Sequence, residues 1–170
     1  SARMESVEQP PRYLPMLASG GAIPGDAADY AFEPKFDGWR ALATVHEGKL
    51  TVRTRRGCDI TEGLAELLPL ADRLGRSAVL DAELVAGNGA PESFYRVGGR
   101  VASRRLTSHS RSVPLSLIVF DVLWLDGDDL TRSPYRDRRA VLESLQLQGS
   151  AWCTMPSYEG DGAELFAACT

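Results

Sequence analysis

Glu33-Pro34-Lys35-Phe36-Asp37-Gly38-Trp39-Arg40 is the most unusual stretch of the 170-residue chain, and the residues that follow it set the fold class. Pro34 fixes its own φ and keeps Glu33 out of the helical region, so Tyr30 to Phe36 reads as extended chain. In an extended segment, side chains of one parity share a face. Glu33, Lys35 and Asp37 are therefore expected as neighbours on one side, with Pro34 and Phe36 on the other. Gly38 permits a tight turn or the close approach of a ligand. Beyond it Trp39, Ala41, Ala43 and Val45 alternate with Arg40, Leu42, Thr44 and His46, the period of a half-buried strand. Glu47-Gly48 makes a turn and Lys49 to Arg55 returns as a second strand.

Working outward, Val79 to Ala86 reads as a third strand, ended by Gly87-Asn88-Gly89. Leu115 to Leu125 reads as a central one, closed by the turn Asp126-Gly127-Asp128. A helix from Thr61 to Leu74 is expected from the stripe Leu64, Leu67, Leu68, Ala71 and Leu74, although Pro69 weakens it. Residues 92–101 form a short helix on this reading. Ser133 caps another over Pro134 to Leu145, Ala151 to Tyr158 is extended, and Ala163 to Cys169 begins a last helix. Residues 1–28, with Pro10, Pro11, Pro15 and Pro24, are an irregular lead-in. Strands and helices mixed, with hairpin-like neighbours, indicate an α+β fold rather than a doubly wound parallel sheet. No GxGxxG or GxxxxGK[ST] loop occurs, so neither a Rossmann site nor a P-loop is indicated.

The length is that of one domain, able to bury roughly 70% of the surface its unfolded form exposes. A content of 44% hydrophobic and 25% charged residues excludes disordered and collagen-like chains. No apolar run approaches the roughly 20 residues of a spanning helix; Leu117 to Leu125 is interrupted by Asp121. Cys58, Cys153 and Cys169 are odd in number and widely separated. That spacing argues for a reducing, cytoplasmic setting and against a disulfide framework or structural zinc. The net charge of −4 counts mildly against tight independent binding of nucleic acid. Between Ser93 and Phe120, however, there is no Asp or Glu, while Arg96, Arg100, Arg104, Arg105 and Arg111 all fall there, a segment able to attract phosphate. Only Lys35 and Lys49 among the 19 basic residues are lysines. Lysine, unlike arginine, can lose its proton and become a nucleophile, and one of the two lies in the opening stretch.

Three other short elements carry polar residues where a plain strand would not need them. Thr54-Arg55-Arg56-Gly57 ends the second strand, Leu80-Asp81-Ala82-Glu83-Leu84 sets two carboxylates on one face of the third, and Phe120-Asp121 sits in the middle of the central one. Each also has a structural explanation: a surface turn, a solvated acidic edge and a core aromatic. A Glu–Lys–Asp face taken alone is an ordinary exposed pairing worth under about 1 kcal/mol.

Together, in this order, these elements resemble the adenylation (nucleotidyltransferase) domain of ATP-dependent DNA ligases, particularly bacterial ones. Glu33 to Arg40 is similar to E-x-K-x-D-G-x-R at every fixed position, and Thr54 to Gly57 to S/T-R-x-G. Asp81-Ala82-Glu83 resembles D-G-E with Ala for the usual Gly, and Phe120 to Gly127 resembles F-D-L-L-Y-L-D-G. Arg138-Arg139-Ala140-Val141-Leu142-Glu143 resembles R-R-x-x-L-E, and Pro15-Met16-Leu17-Ala18 resembles the lead-in before the first motif. The likeness runs from about Pro15 to the end.

The resemblance implies antiparallel β-sheets flanked by helices with a nucleotide cleft between them. It implies that Lys35 attacks the α-phosphorus of ATP, expels pyrophosphate and carries AMP as a phosphoramidate. The AMP then passes to the 5′-phosphate of nicked double-stranded DNA, which is sealed in DNA repair. By the same resemblance Phe120 stacks on adenine and Glu33 recognises the base edge, while Arg40, Arg55 and Glu83 hold ribose and phosphates. Asp37 sits beside the nucleophile and a divalent ion, Mg²⁺ or Mn²⁺, with Glu83 a metal ligand. A lone carboxylate favours a protonated lysine, whereas nearby cations depress its pKa. Asp37 is therefore expected to orient Lys35 or hold metal-bound water rather than pair with a resting ammonium. Arg96, Arg100, Arg104 and Arg105 are the expected DNA-backbone surface.

The family's later E-G-x-V-x-K and K-x-K elements, and its C-terminal OB-fold domain, are not found in these residues. Residues 29–170 are accordingly read as part of an adenylation domain, expected to be monomeric and unable to seal nicks by itself. Other readings are an RNA ligase or capping-type nucleotidyltransferase, which shares K-x-D-G-x-R, and a non-catalytic nucleotide-binding fragment.

Overall fold

A computed structural model describes residues 8–22, 27–102 and 113–160. Eight strands occur in them: β1 (Ala31–Phe32), β2 (Trp39–His46), β3 (Lys49–Thr54), β4 (Ala78–Ala86), β5 (Leu115–Leu125), β6 (Asp128–Asp129), β7 (Trp152–Thr154) and β8 (Tyr158–Glu159). The helices are α1 (Leu70–Leu74), α2 (Ser93–Ala102) and α3 (Tyr135–Ser144). Six strands make one sheet in the order β3-β2-β4-β5-β6, antiparallel throughout, with β7 added parallel to β5. β1 and β8 form a separate antiparallel pair. This is the α+β fold expected.

Alternation builds the main core. Ala41, Ala43 and Val45 of β2, Leu80, Ala82 and Leu84 of β4, and Leu117 and Val119 of β5 all face one side and are fully or almost fully buried. Leu70, Ala71 and Leu74 of α1, Val97 of α2 and Leu142 of α3 pack into that layer. Fully burying a Leu or Val contributes roughly 1.5–3 kcal/mol, so this face holds the fold. The opposite parity carries Arg40, Asp81, Glu83 and Phe120, above a second, small cluster of Val85, Ile118 and Met155 joined by Phe36, Phe120 and Cys153.

β5 keeps its core parity only with help from two irregularities against β4. The register passes from Asp81↔Asp121 to Ala82↔Val119, leaving Phe120 as an extra residue, and Leu123 is passed over in the same way. An extra residue bends and twists the strand locally. Here it lets Phe120 and Asp121 both stay off the main core while Val119 and Val122 remain completely buried in it.

Several local expectations are corrected. Thr61 to Leu74 is not one helix: two 3-10 turns (Thr61–Gly63 and Ala65–Leu67) precede the five-residue α1. Pro69 is the reason, since it cannot donate within a continuous helix and instead occupies the N-cap of α1. Ser133 does not cap α3. Pro134 holds that place without a side-chain cap, and the Ser133 carbonyl accepts from Arg138 Nη1 at 2.6 Å. Tyr30 to Phe36 is paired only at β1, and Ala151 to Tyr158 only at β7 and the start of β8. The helix expected at Ala163 to Cys169 lies outside the described residues.

Candidate active site

The segment from Glu33 to Gly38 crosses the end of the sheet between β1 and β2. It is fixed there by backbone contacts rather than by secondary structure of its own. The Asp37 N–H donates to the Gly89 carbonyl at 3.0 Å, and the Gly38 N–H donates to Glu83 Oε1 at 3.0 Å. Gly38 is needed for a reason other than ligand approach: a Cβ there would overlap the Leu84 carbonyl oxygen of β4. Phe36 turns down into the small cluster with Phe120, as its parity requires.

Lys35 and Asp37 point the other way and pair with each other, Nζ to Oδ1. The expectation that Asp37 would avoid the resting ammonium is thus corrected: two residues apart on an extended chain, the opposite charges meet. The Lys35 side chain is 84% exposed, so its amine faces solvent and is open to an incoming ligand. Its charge still reaches Glu83. Burial raises the Glu83 carboxyl above its ordinary value, while the Gly38 N–H, Arg40 and Lys35 oppose the rise.

Arg40 is the cation on the sheet face itself. Its Nε and Nη2 donate to Asp81 Oδ1 and Oδ2 at 2.6 and 2.7 Å, a bidentate pair with a nearly fully buried carboxylate. Its guanidinium carbon lies 4.6 Å from the centre of the Phe120 ring, within cation–π range. Phe120 is half-buried, one ring face under a cation and its body on the apolar floor. Burial pushes the Asp81 carboxyl up and Arg40 pulls against it, while Asp121, directly opposite in register, adds to the rise. Asp121 has its own partner, Arg138, at 2.8–3.2 Å. Two carboxylates on adjacent strands are therefore each met by a separate arginine.

Glu33 is turned toward α3. Its Oε1 accepts from the Tyr135 hydroxyl at 2.7 Å and lies 3.5 Å from Arg139 Nη1. Burial raises this carboxyl too, opposed by Tyr135 and Arg139. Arg55 is exposed at the end of β3, its backbone N–H bonded to the Arg40 carbonyl at 3.2 Å.

The four arginines expected on a DNA-backbone surface do not behave alike. Arg96 is exposed on α2. Arg100 is not a surface residue: its side chain is 5% exposed and donates to the Val113 and Gly63 carbonyls and to Glu66. It faces inward because the helical repeat sets it on the side of Val97, against the 3-10 turns. Arg104 and Arg105 lie outside the described residues.

The structure brings Lys35, Asp37, Arg40, Glu83 and Phe120 near one another. Sequence reasoning gave no role to Asp81, Tyr135, Arg138 or Arg139. The R-R-x-x-L-E pattern flagged the two arginines; nothing local flagged Tyr135, whose partner is 102 residues away.

Residues 15–166 match the sequence model of the ATP dependent DNA ligase domain. The chain belongs to the ATP-dependent DNA ligase domain family. It is 36% identical over 158 residues to the multifunctional non-homologous end joining protein LigD of Mycolicibacterium smegmatis, covering 92% of this chain and 20% of that protein. It is 39% identical over 140 residues to a "Probable DNA ligase" of Streptomyces avermitilis, covering 78% of this chain and 27% of the relative. The chain therefore spans about a fifth to a quarter of these curated relatives. Among solved structures, the ligase domain of M. tuberculosis LigD superposes with a TM-score of 0.74 at 34% identity, over 91% of this chain and 48% of that one. A mycobacterial DNA ligase D complexed with ATP and MES superposes with a TM-score of 0.73 at 33% identity, over 91% and 49%.

One of these relatives holds ATP, and nucleoside triphosphates are commonly bound together with a divalent cation. Among the described residues no group of three His, Cys, Asp or Glu side chains is arranged to hold a metal. Mg²⁺ usually takes one or two carboxylates together with substrate phosphates and water. Glu83 and Asp37, flanking Lys35, are the carboxylates that suit that mode.

Proposed function

We propose that this chain carries the adenylation step of an ATP-dependent DNA ligase. Lys35 Nζ, as the free amine, attacks the α-phosphorus of ATP. The N–P bond forms, the bond to the bridging oxygen breaks, pyrophosphate leaves, and the amine proton is lost. The Asp37 pair must open for this, and an exposed amine on a short tether can leave it with little resistance. Arg40 and Arg55 offset charge on the phosphates, Glu83 holds ribose or the divalent cation, Phe120 offers its ring to the base, and Glu33 reads the base edge. The cation, Mg²⁺ or Mn²⁺, supplies electrostatic stabilisation of the phosphates when bound.

The observation carrying the reading is the convergence of Arg40, Glu83 and Phe120 on the sheet face opposite the main core, with Lys35 close enough for its charge to act on Glu83. A structural core has no use for that arrangement. AMP then passes to the 5′-phosphate of nicked double-stranded DNA, and the 3′-hydroxyl displaces it to seal the strand. Arg96 is the described residue suited to the DNA backbone, with Arg104 and Arg105 beyond it in sequence. The names of the end-joining relatives support a setting in DNA repair, and the reading includes a cytoplasmic monomer. Residues 29–170 would form part of the adenylation domain after a lead-in of 1–28.

Intact mass after incubation with Mg-ATP tests the reading. One adenylyl group per chain, mapped to Lys35 and lost in Lys35→Ala, is expected. An adduct that survives Lys35→Ala, or none at all, would overturn it.

A further inference from the structure

Tyr135 is the first residue of α3, and its hydroxyl makes two contacts. It donates to Glu33 Oε1 at 2.7 Å and lies 3.1 Å from Ser157 Oγ. Burial raises the phenol above its ordinary value, and the neighbouring Glu33 carboxylate adds to the rise, so the group stays protonated and is a donor. With its one proton given to Glu33, Tyr135 accepts from Ser157. Arg139, one helical turn on, reaches the same Oε1 and also donates to the Met155 carbonyl at 2.7 Å. Both groups that fix Glu33 thus come from one face of α3. That helix is itself held to β5 by the Arg138–Asp121 bidentate pair.

Ser157 immediately precedes β8, and β8 pairs with β1, the strand just before Glu33. The contacts close a ring: β1 to Glu33, Glu33 to Tyr135, Tyr135 to Ser157, and Ser157 through β8 back to β1. Such a ring leaves the carboxylate little rotational freedom. Every described contact to it falls on Oε1, and Oε2 has no partner among the described residues. An ionised carboxylate oxygen can only accept. An acceptor fixed in position two residues before the nucleophile favours a base with an amino group at that edge. It disfavours one with a carbonyl there, because lone pair then faces lone pair.

We propose that Tyr135 is a positioning residue that holds Glu33 so that Oε2 selects a 6-aminopurine nucleotide over a 6-oxopurine one. This rests on the adenylation reading above and adds the device that sets its base selectivity.

The test compares ATP and GTP on the full chain with Mg²⁺ present, by titration calorimetry and by adenylyl or guanylyl uptake in intact mass. The wild type is expected to prefer ATP. Tyr135→Phe should weaken ATP about tenfold, the loss of one hydrogen bond to a charged group, and leave GTP unchanged, so the preference shrinks by the same factor. Ser157→Ala, which does not touch Glu33, should change the ratio far less. Glu33→Gln, which removes the fixed acceptor, should erase the preference and keeps the proposal testable if Tyr135→Phe fails to fold. A Tyr135→Phe chain that keeps the wild-type ratio, or that loses both nucleotides equally, would show a structural role only and overturn the proposal. Uptake of neither nucleotide by the wild type would overturn this proposal and the adenylation reading together. Normal Lys35 adenylation with an unchanged ratio in Tyr135→Phe would overturn only the positioning role.

Discussion

Replacing Asp81 by Ala removes the acceptor of both Arg40 hydrogen bonds, at 2.6 and 2.7 Å. Taking one partner from a buried ion pair costs about 3–5 kcal/mol when the remaining charge is fully desolvated. Arg40 is not: its side chain is 27% exposed, and Glu83 and Asp121 still act on it from nearby. The expected loss is therefore lower, about 2–3 kcal/mol, on the order of 5–10 °C in melting midpoint for a domain of this size. Arg40→Ala should cost more than Asp81→Ala, because the carboxylate it abandons is the more buried member, 5% exposed against 27%. The double variant should then cost less than the sum of the two by about 2 kcal/mol, since neither partner is left alone. Denaturant unfolding of the four chains measures all three quantities. Single costs that simply add, to within about 0.5 kcal/mol, would refute the claim that this pair is coupled. ATP affinity should fall in Asp81→Ala as well, as Arg40 is released from its place over Phe120.

Two further outcomes are expected. Glu83 has a folded-state pKa raised by burial; a raised carboxyl contributes stability that is present below its unfolded value and lost as pH rises through its folded value. Glu83→Gln should therefore match the wild type in acid and become the more stable chain toward neutral pH; a gap that instead widens on acidification would contradict the assignment. Arg100→Met should cost about 3 kcal/mol in unfolding, because Glu66 loses its buried partner, yet leave the salt dependence of DNA binding unaltered. Arg96→Ala should do the reverse, and a salt slope that changes with Arg100 at constant stability would return that residue to the interface.

Local chemistry made much of this legible in advance. Period-two alternation from Trp39 to His46 predicts a strand with one face buried, the largely apolar run Leu115 to Leu125 reads as a central strand, and β2 and β5 run as expected. The same parity rule pairs Lys35 with Asp37 and sends Phe36 to the floor. Simple periodicity failed at two places. Pro69 divided a stripe that otherwise had helical period. The extra residue at Phe120 altered the facing of β5, so that both Phe120 and Asp121 leave the main core.

Residue types and their spacing, which act over a few bonds, were enough to single out the lysine proposed as nucleophile, the strand that follows it and the chain's ligase family. Which carboxylate meets which arginine was a different kind of fact. Asp81 takes Arg40, Asp121 takes Arg138, Glu33 takes Arg139, and Arg100 turns inward to Glu66. None of these pairs is close in the chain, except Asp121 and Arg138 at 17 residues. Each formed because desolvated charges on opposing elements must find partners once the sheet and helices have closed, and only the packed structure decides which are within reach.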